Sequence, residues 1–385
     1  MGDPGRTSVL LAVEQLRRAV PGGIGVYARG LLCGLAQADA DGEGLEVTLL
    51  ASRATGIRPS MRRDAVDPLA SWGRPLRLSR LPGPLLTRAW DRGMVRAPVG
   101  FDVVHSVTTA APLGSRESRA ARVVTVHDLA WRRYPEATTR RGRRWHETSL
   151  RRAIHSGASI VVPSRLVAAD LLEAGVDRAR LTVAGEGSDH LVEPDHEAAQ
   201  ALLRRVGVSG DFLLTVSTLE PRKNLARLVE AYRSARPSLP SAWPLVVVGP
   251  AGWGREPTSP TAAGVVFTGR VSDGALAGLY ASARAFAYVP LTEGYGLPPL
   301  EAMRMGTPTV VARAVPSVDD LDAPERSPAR LVDPLDVESI AAGLLEVLTD
   351  DELRRQLTGR GAAYARSRTW RATAEAHIEL WKALR

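Results

Sequence analysis

The sequence predicts an α/β protein in which two parallel sheets, each covered by helices, make two domains. Short apolar runs recur along the chain and alternate with segments of helical period, the rhythm that parallel strands joined by crossover helices produce. With 385 residues, 44% of them hydrophobic and 24% charged, the chain is long enough to bury more than one core. Between 185 and 195, Gly, Ser, Asp, His and Pro break the apolar periodicity. That break places a linker between a first domain, 1–190, and a second, 198–365.

The first domain opens with a strand at 9–13 (Val-Leu-Leu-Ala-Val), a glycine loop at 21–25 (Pro-Gly-Gly-Ile-Gly) and a helix at 26–35. Its further strands are expected at 47–50, 103–105, 123–126 and 160–162. In the second domain the apolar runs predict strands at 212–216, 245–248, 265–267, 285–288 and 309–311, with helices at 226–235, 275–282 and 298–305. Gly306 ends the last helix and Pro308 prevents its resumption, as a C-cap followed by a breaker requires. Open parallel sheets bind ligands beyond the carboxyl ends of their strands. Two of them in one chain are expected to face a cleft, and residues just after strands carry the functional argument.

Composition narrows the function classes. Aromatics are 5%, and 35 Gly and 27 Pro are scattered without period, which excludes collagenous and disorder-dominated chains. A lone cysteine, Cys33, rules out an intramolecular disulfide and a cysteine zinc cluster; within the apolar run 30–35 it reads as a packing thiol in a reducing compartment. The start, 1–6, lacks a basic and apolar leader, and no apolar stretch approaches the ~20 residues of a spanning helix. A cytoplasmic protein, peripheral at most on the inner face of a membrane, is expected.

The formal charge of +8 is regional. Residues 53–152 hold 21 arginines against 8 acidic residues, and the rest of the chain is net negative. Eight arginines between Arg132 and Arg152 crowd around Trp131, Tyr134 and Trp145. This is either a solvated helix face or a surface for anionic lipid head groups. A nucleic-acid partner is not expected, since no recognised motif accompanies the charge. Of the 50 basic residues only Lys223 and Lys382 are lysines, so an interior lysine at 223 stands out.

That lysine lies in Leu-Glu-Pro-Arg-Lys-Asn, 219–224, after the strand at 212–216. An arginine that clamps two oxygens beside a lysine that supplies a mobile point charge suits a diphosphate. The alternative is an exposed basic pair, which a helix start disfavours unless an anion neutralises it. A second motif, Glu293-Gly294-Tyr295-Gly296-Leu297-Pro298-Pro299-Leu300-Glu301, sets two carboxylates around a glycine loop and a helix start. Carboxylates accept hydrogen bonds from sugar hydroxyls, and glycines let backbone amides approach a ligand; Glu301 alone could merely complement a helix turn. The early Gly22-Gly23-Ile24-Gly25 does not match a dinucleotide fingerprint and is a weak phosphate signal. His127-Asp128 follows a strand and offers a hydrogen-bond donor or proton carrier, or a structural histidine capped by its neighbour; His105 reads as structural.

These motifs, with Leu331-Val332-Asp333-Pro334-Leu335-Asp336, resemble a retaining glycosyltransferase of family 4, and among these the bacterial mannosyltransferases of cell-surface polysaccharide assembly. The resemblance covers nearly the whole chain. It implies a GT-B fold, two Rossmann-like domains facing a central cleft, with a C-terminal helix (366–385) returning to the first. It implies that Arg222 and Lys223 hold the donor diphosphate, that Glu301 binds the ribose, and that Glu293 with the amides of Gly294, Tyr295, Gly296 and Leu297 holds the transferred sugar. His127 would stand beside that sugar on the acceptor side, and Gly23 and Gly25 near the phosphates. The donor is a nucleotide diphosphate sugar, GDP-mannose first, with UDP-glucose, UDP-N-acetylglucosamine and dTDP-rhamnose open. The acceptor is a glycan or polyprenyl-linked sugar, and neither metal nor separate cofactor is expected. A nucleotide-sugar epimerase and a non-catalytic sugar- or RNA-binding protein remain the rival readings. The segment 183–189 departs from the Pro-Asn-Gly-Val look common in relatives, and Ser-Val-Asp-Asp after Pro316 departs from their Leu-Pro-Glu.

Overall fold

The computed structural model describes residues 6–18, 22–39, 44–53, 67–113, 119–252, 264–319 and 326–385. The first five residues, Pro21, the 54–66 and 114–118 parts of the basic region, and Asp320 lie outside the described residues. The chain divides into two compact units. One comprises Met1–Leu129, Arg140–Gly187 and Trp370–Arg385; the other comprises Ala130–Thr139 and Ser188–Thr369.

The first unit holds a seven-stranded sheet of β1 (Thr7–Ala12), β2 (Leu45–Ser52), β3 (Leu76–Ser79), β4 (Val103–Ser106), β5 (Ala121–Thr125), β6 (Ser159–Val162) and β7 (Leu181–Val183). Its order is β3-β2-β1-β4-β5-β6-β7, every pairing is parallel, and the order reverses between β1 and β4. Val9 lies opposite Val47 on one side and Val103 on the other, and all three are buried. The second unit holds β8 (Leu213–Val216), β9 (Leu245–Val248), β10 (Val265–Gly269), β11 (Ala285–Tyr288), β12 (Thr309–Ala312) and β13 (Arg330–Val332), all parallel. Here the order is β10-β9-β8-β11-β12-β13, with the reversal between β8 and β11. Such reversals open a crevice at the strand carboxyl ends.

All ten expected strands form, within two residues at each end. The three that sequence reading missed, β3, β7 and β13, are the short outer strands of their sheets. Their polar and partly exposed residues break the continuous apolar run that marks a strand buried on both faces.

The glycine segment corrects the expected loop. Gly22–Asp39 is one helix, so Gly23 and Gly25 sit in its first two turns, Gly23 exposed and Gly25 buried. Two later glycines explain where this helix goes. A Cβ on Gly30 would lie 2.1 Å from the Trp370 ring, and one on Gly34 would lie 2.0 Å from the Trp370 carbonyl. The C-terminal helix, Trp370–Ala383, therefore packs against a face that only glycine leaves open.

The arginine-rich stretch forms the helix Arg140–His155, with Ser149, Leu150 and Ala153 buried. Arg152 turns inward, donating to the Trp90 carbonyl and to Asp91, and Trp145 Nε1 donates to Asp91 at 2.7 Å. Arg140, Arg141, Arg144 and Arg151 remain exposed. The basic run thus serves as both packing face and solvated face.

Candidate functional site

In the second unit the chain leaves β8 and makes a single helical turn, Pro221–Lys223, opened by proline and closed by Asn224 at φ 60°. Asn224 is the only non-glycine residue with positive φ among the described residues. Its amide explains how it is held there: Nδ2 donates to the carbonyls of Val289 (2.9 Å) and Pro334 (2.7 Å), and Oδ1 accepts from Arg227. The Leu291 amide donates to the Arg222 carbonyl at 2.9 Å, binding the loop after β8 to the loop after β11. The two loops meet where the strand order reverses, so Arg222, Lys223 and Glu293 come together although 70 residues separate them.

One carboxylate oxygen organises the cluster. Glu293 Oε1 accepts from Lys223 Nζ at 2.5 Å and from the Tyr288 hydroxyl at 2.9 Å, and it lies 2.8 Å from Arg222 Nη1. Lys223 also donates to the Tyr288 hydroxyl, and Arg222 reaches Glu220 at 2.7 Å and the Thr292 carbonyl at 3.2 Å. Burial opposes ionisation of Glu293, but the charges of Arg222 and Lys223 and the bonds from Lys223 and Tyr288 outweigh it, taking the carboxyl down to about 2. Burial pulls the Lys223 ammonium below the ordinary lysine range, with the Glu293 charge acting against it. Burial, reinforced by Glu293, pushes the Tyr288 hydroxyl well up, so Tyr288 remains a neutral donor. The cluster is an acid held ionised against two cations, partly desolvated and rigid. It can present cationic donors to an anion and a carboxylate to hydroxyl groups.

Glu301 takes a separate position on the helix Leu297–Arg304. Its Oε1 accepts from His190 Nε2 at 3.0 Å and its Oε2 from the Tyr280 hydroxyl at 2.8 Å. The loop before that helix depends on Gly296, at φ 99°, where a Cβ would come within 2.4 Å of Val315. Ser317 secures the turn by donating through Oγ to the Gly296 carbonyl and through its amide to the Tyr295 carbonyl. Tyr295 and Leu297 are buried beside the turn. Pro298 and Pro299 carry no amide proton, so the Leu297 and Leu300 amides are the donors of the first helical turn.

In the first unit His127 follows β5. Its Nε2 lies 2.9 Å from the Val107 carbonyl in the loop after β4, and its Nδ1 is 3.8 Å from Glu186 Oε1. A carbonyl only accepts, so Nε2 carries the proton and donates. Of the two sequence readings, a donor role through Nε2 is thus taken by the protein's own backbone. Tyr27 packs edge-on against the ring, with centroids 4.7 Å apart.

Behind Tyr27 runs a buried chain of hydrogen bonds whose direction is fixed by its ends. Trp381 Nε1 can only donate, so His105 Nδ1 accepts (3.2 Å) and His105 Nε2 donates to Thr125 (3.0 Å). At the far end the Thr373 carbonyl can only accept, so His377 Nδ1 donates to it (2.7 Å) and His377 Nε2 accepts from Tyr27 (2.8 Å). Thr125 closes the chain by donating to the Tyr27 oxygen at 3.2 Å. Both histidines are neutral in opposite tautomers. Burial keeps them so, lowering His105 well below the ordinary range and His377 to about 4.

Sequence reading missed Tyr288, Glu220, His190, Tyr280, Glu186, Tyr27 and His377. Tyr288 carried a signal, being the last residue of a strand at a carboxyl end. Glu220 lies inside the 219–224 motif, two residues from its partner Arg222, and Glu186 inside the divergent 183–189 segment, with no role read for either; His190, Tyr280, Tyr27 and His377 sit at sites with no local pattern and meet their partners only through the fold.

The chain matches known proteins in both halves. The profile described as Glycosyltransferase Family 4 matches residues 21–190, and that described as Glycosyl transferases group 1 matches 205–363. The O-antigen chain mannosyltransferase B of Escherichia coli is 30% identical over 271 residues, which cover 68% of this chain and 70% of the relative. A serotype-specific mannosyltransferase of Escherichia coli is 30% identical over 49% of this chain, which spans only 24% of that longer protein. Among solved structures, Anabaena HepE in complex with UDP and glucose aligns with a TM-score of 0.70 at 20% identity, over 98% of this chain and 100% of that one. WaaG, a glycosyltransferase involved in lipopolysaccharide biosynthesis, aligns with a TM-score of 0.65 at 16% identity, over 97% and 99%.

Proposed function

Since this chain belongs to glycosyltransferase family 4 and has the GT-B fold, we propose that it moves mannose from GDP-mannose to a hydroxyl of a glycan or polyprenyl-linked acceptor, with retention at the anomeric carbon. The observation that carries this reading is the convergence of Arg222 and Lys223 on Glu293 at the reversal between β8 and β11. The mannosyl donor is favoured by the identity to the Escherichia coli O-antigen enzyme.

The residues divide the work by charge. As the bond from the sugar to the diphosphate breaks, negative charge grows on the phosphate, and cations fixed at Arg222 and Lys223 stabilise that state more than the ground state. Two cations in place make a metal dispensable, and turnover is expected to survive a chelator. Glu293, ionised at any physiological pH, accepts hydrogen bonds from the transferred sugar, with the amides of the 294–297 loop. Glu301, aimed by His190 and Tyr280, accepts from the ribose. The leaving phosphate takes the acceptor proton, since none of these side chains is a poised nucleophile.

A thermal-shift screen of GDP, UDP and dTDP sugars tests the donor. A ligand at 100 times its Kd stabilises the fold by ~2.7 kcal/mol, and GDP-mannose is expected to give the largest shift. Product analysis with donor alone separates transfer from epimerisation, which needs no acceptor. A UDP or dTDP sugar as the best ligand would replace mannose as the cargo.

A patch on the first unit supports action at the cytoplasmic face of an anionic membrane. Leu85, Met94 and Val99 are 50%, 63% and 82% exposed among the exposed Arg88, Arg92 and Arg96, and the helix carrying Leu85, Gly83–Asp91, packs on the arginine-rich helix through Trp145 and Arg152. Each basic residue near an anionic surface contributes ~1 kcal/mol. No helix among the described residues is long and apolar enough to cross a membrane. The protein is expected to sediment with phosphatidylglycerol vesicles at low salt and not with phosphatidylcholine vesicles. Equal recovery in both supernatants would remove this part.

A further inference from the structure

We propose that Tyr288 is a positioning residue for the transfer step: its hydroxyl, set between Lys223 and Glu293, fixes the direction in which Lys223 offers its remaining proton to the leaving diphosphate. The inference rests on the transferase reading above, in which Lys223 meets the diphosphate, and adds a residue that lies outside both sequence motifs.

Chemistry fixes the order of donors among the three side chains. Glu293 is ionised and only accepts, so the Tyr288 hydroxyl directs its proton to Oε1, at 2.9 Å. The phenol oxygen is then left to accept, and Lys223 Nζ donates to it at 2.8 Å. A second N–H of the same ammonium goes to Glu293 Oε1 at 2.5 Å. An ammonium carries three N–H groups in tetrahedral array, so once two are aimed at fixed acceptors the direction of the third follows. Without the Tyr288 hydroxyl, Lys223 would keep Glu293 alone as its acceptor and would turn about that single bond.

Tyr288 is itself held still. It ends β11 opposite Val311 of β12, buried, with its ring stacked on Phe286 at 6.1 Å between centroids. A phenylalanine would fill the same space. A hydroxyl taken out of water in such a place costs free energy unless it is bonded, and here its proton and its oxygen are both bonded within the cluster the donor would meet. Lys223 Nζ also lies 5.4 Å from the ring centroid, a cation–π contact that a phenylalanine would keep. Tyr288→Phe therefore removes the aim and leaves the packing. It also removes an acceptor that favours the charged lysine. Burial holds the Lys223 ammonium below the ordinary lysine range; Arg222 acts with burial, and Glu293 and Glu220 act against it. Loss of the hydroxyl moves the group further down, so the alkaline limb of turnover, where Lys223 gives up its proton, is expected at lower pH in Tyr288→Phe than in the wild type.

The test uses the full chain with the GDP, UDP and dTDP sugars and, as acceptor probes, methyl glycosides of mannose, glucose and galactose. Tyr288→Phe is expected to lower kcat about tenfold, the scale of one hydrogen bond to a charged group. The donor KM is expected to change much less, because the charge on the phosphate grows on the way to the transition state. In a Lys223→Ala background the same substitution is expected to cost less than about twofold, since the group it aims is gone. A variant with wild-type kcat and an unmoved alkaline limb overturns the proposal. So does one that loses only thermal stability, or one whose loss of kcat is as large without Lys223 as with it, the results of a hydroxyl that merely holds the fold. If the wild type glycosylates no probe from any nucleotide sugar, the transferase reading fails and this inference with it. If Lys223→Ala turns over like the wild type, the placement of the diphosphate fails and takes the inference along; if both stand and Tyr288→Phe is silent, only the inference fails.

Discussion

Replacing Lys223 by alanine is expected to lower kcat by about 10²- to 10³-fold, the scale on which one electrostatic donor at a developing charge acts. The structure explains why the loss should fall on rate and much less on stability. Lys223 is buried at a cost to its own charge, as its lowered pKa records, so deleting it removes a desolvation penalty along with a favourable contact. Glu293 then keeps Arg222 at 2.8 Å and the Tyr288 hydroxyl at 2.9 Å as partners. Arg222→Ala is expected to be as slow and also less stable, because Arg222 ties Glu220 and the Thr292 carbonyl as well. Since both cations act on one oxygen of Glu293, the double variant should lose less than the product of the single losses. Wild-type turnover in the double variant, measured by donor consumption, would remove the assignment of the diphosphate to this pair.

The same cluster sets a pH expectation. Glu293 is held at about 2 in the folded chain, below the ordinary carboxylate range near 4.3. The stability this provides is complete above the ordinary value and is lost as pH falls from there through about 2. Any acid limb of activity between pH 5 and 7 therefore belongs to another group or to the substrate.

The double-sheet architecture was legible because strands buried on both faces must be apolar throughout, and runs such as 9–13 and 245–248 cannot be read otherwise. The motifs were legible for a related reason: a site at a strand carboxyl end is carried by short loops, so Arg222 with Lys223, and Glu293 with Gly296, are local in sequence. Partnerships were not. That Lys223 meets Glu293, or Tyr27 meets His377 across 350 residues, follows from strand order and helix packing, which no local pattern encodes. The glycines of 22–25 misled because glycine before an apolar helix favours a loop, whereas here the helix begins on the glycines themselves and its position is decided further on, by Gly30 and Gly34 against Trp370.

The buried chain in the first unit carries the largest stability effect. His377→Ala is expected to cost about 3–5 kcal/mol, as deletion of a large, fully buried ring does, because it opens a cavity against the rings of His105, Trp381 and Tyr27 and leaves the Tyr27 hydroxyl without its acceptor. His377→Gln, which can keep an acceptor near Tyr27, should recover part of that loss, and denaturant midpoints measure both. The wild type should also lose stability in mild acid. His377 falls from the ordinary 6.5 to about 4 in the folded chain, so between those values the unfolded chain binds a proton that the folded chain refuses. Its contribution is complete above pH 6.5 and declines as pH falls toward 4, by about 3 kcal/mol in total at 1.36 kcal/mol per unit. His105 acts in the same direction. A protonated His377 would turn Nε2 into a donor facing the Tyr27 hydroxyl, and the chain from Trp381 to Thr373 could no longer run in one direction. Nitrogen chemical shifts read this directly: at neutral pH His105 should carry its proton on Nε2 and His377 on Nδ1. The reverse assignment, or equal stability at pH 5 and pH 7, would show that the C-terminal helix is held to the sheet by packing alone.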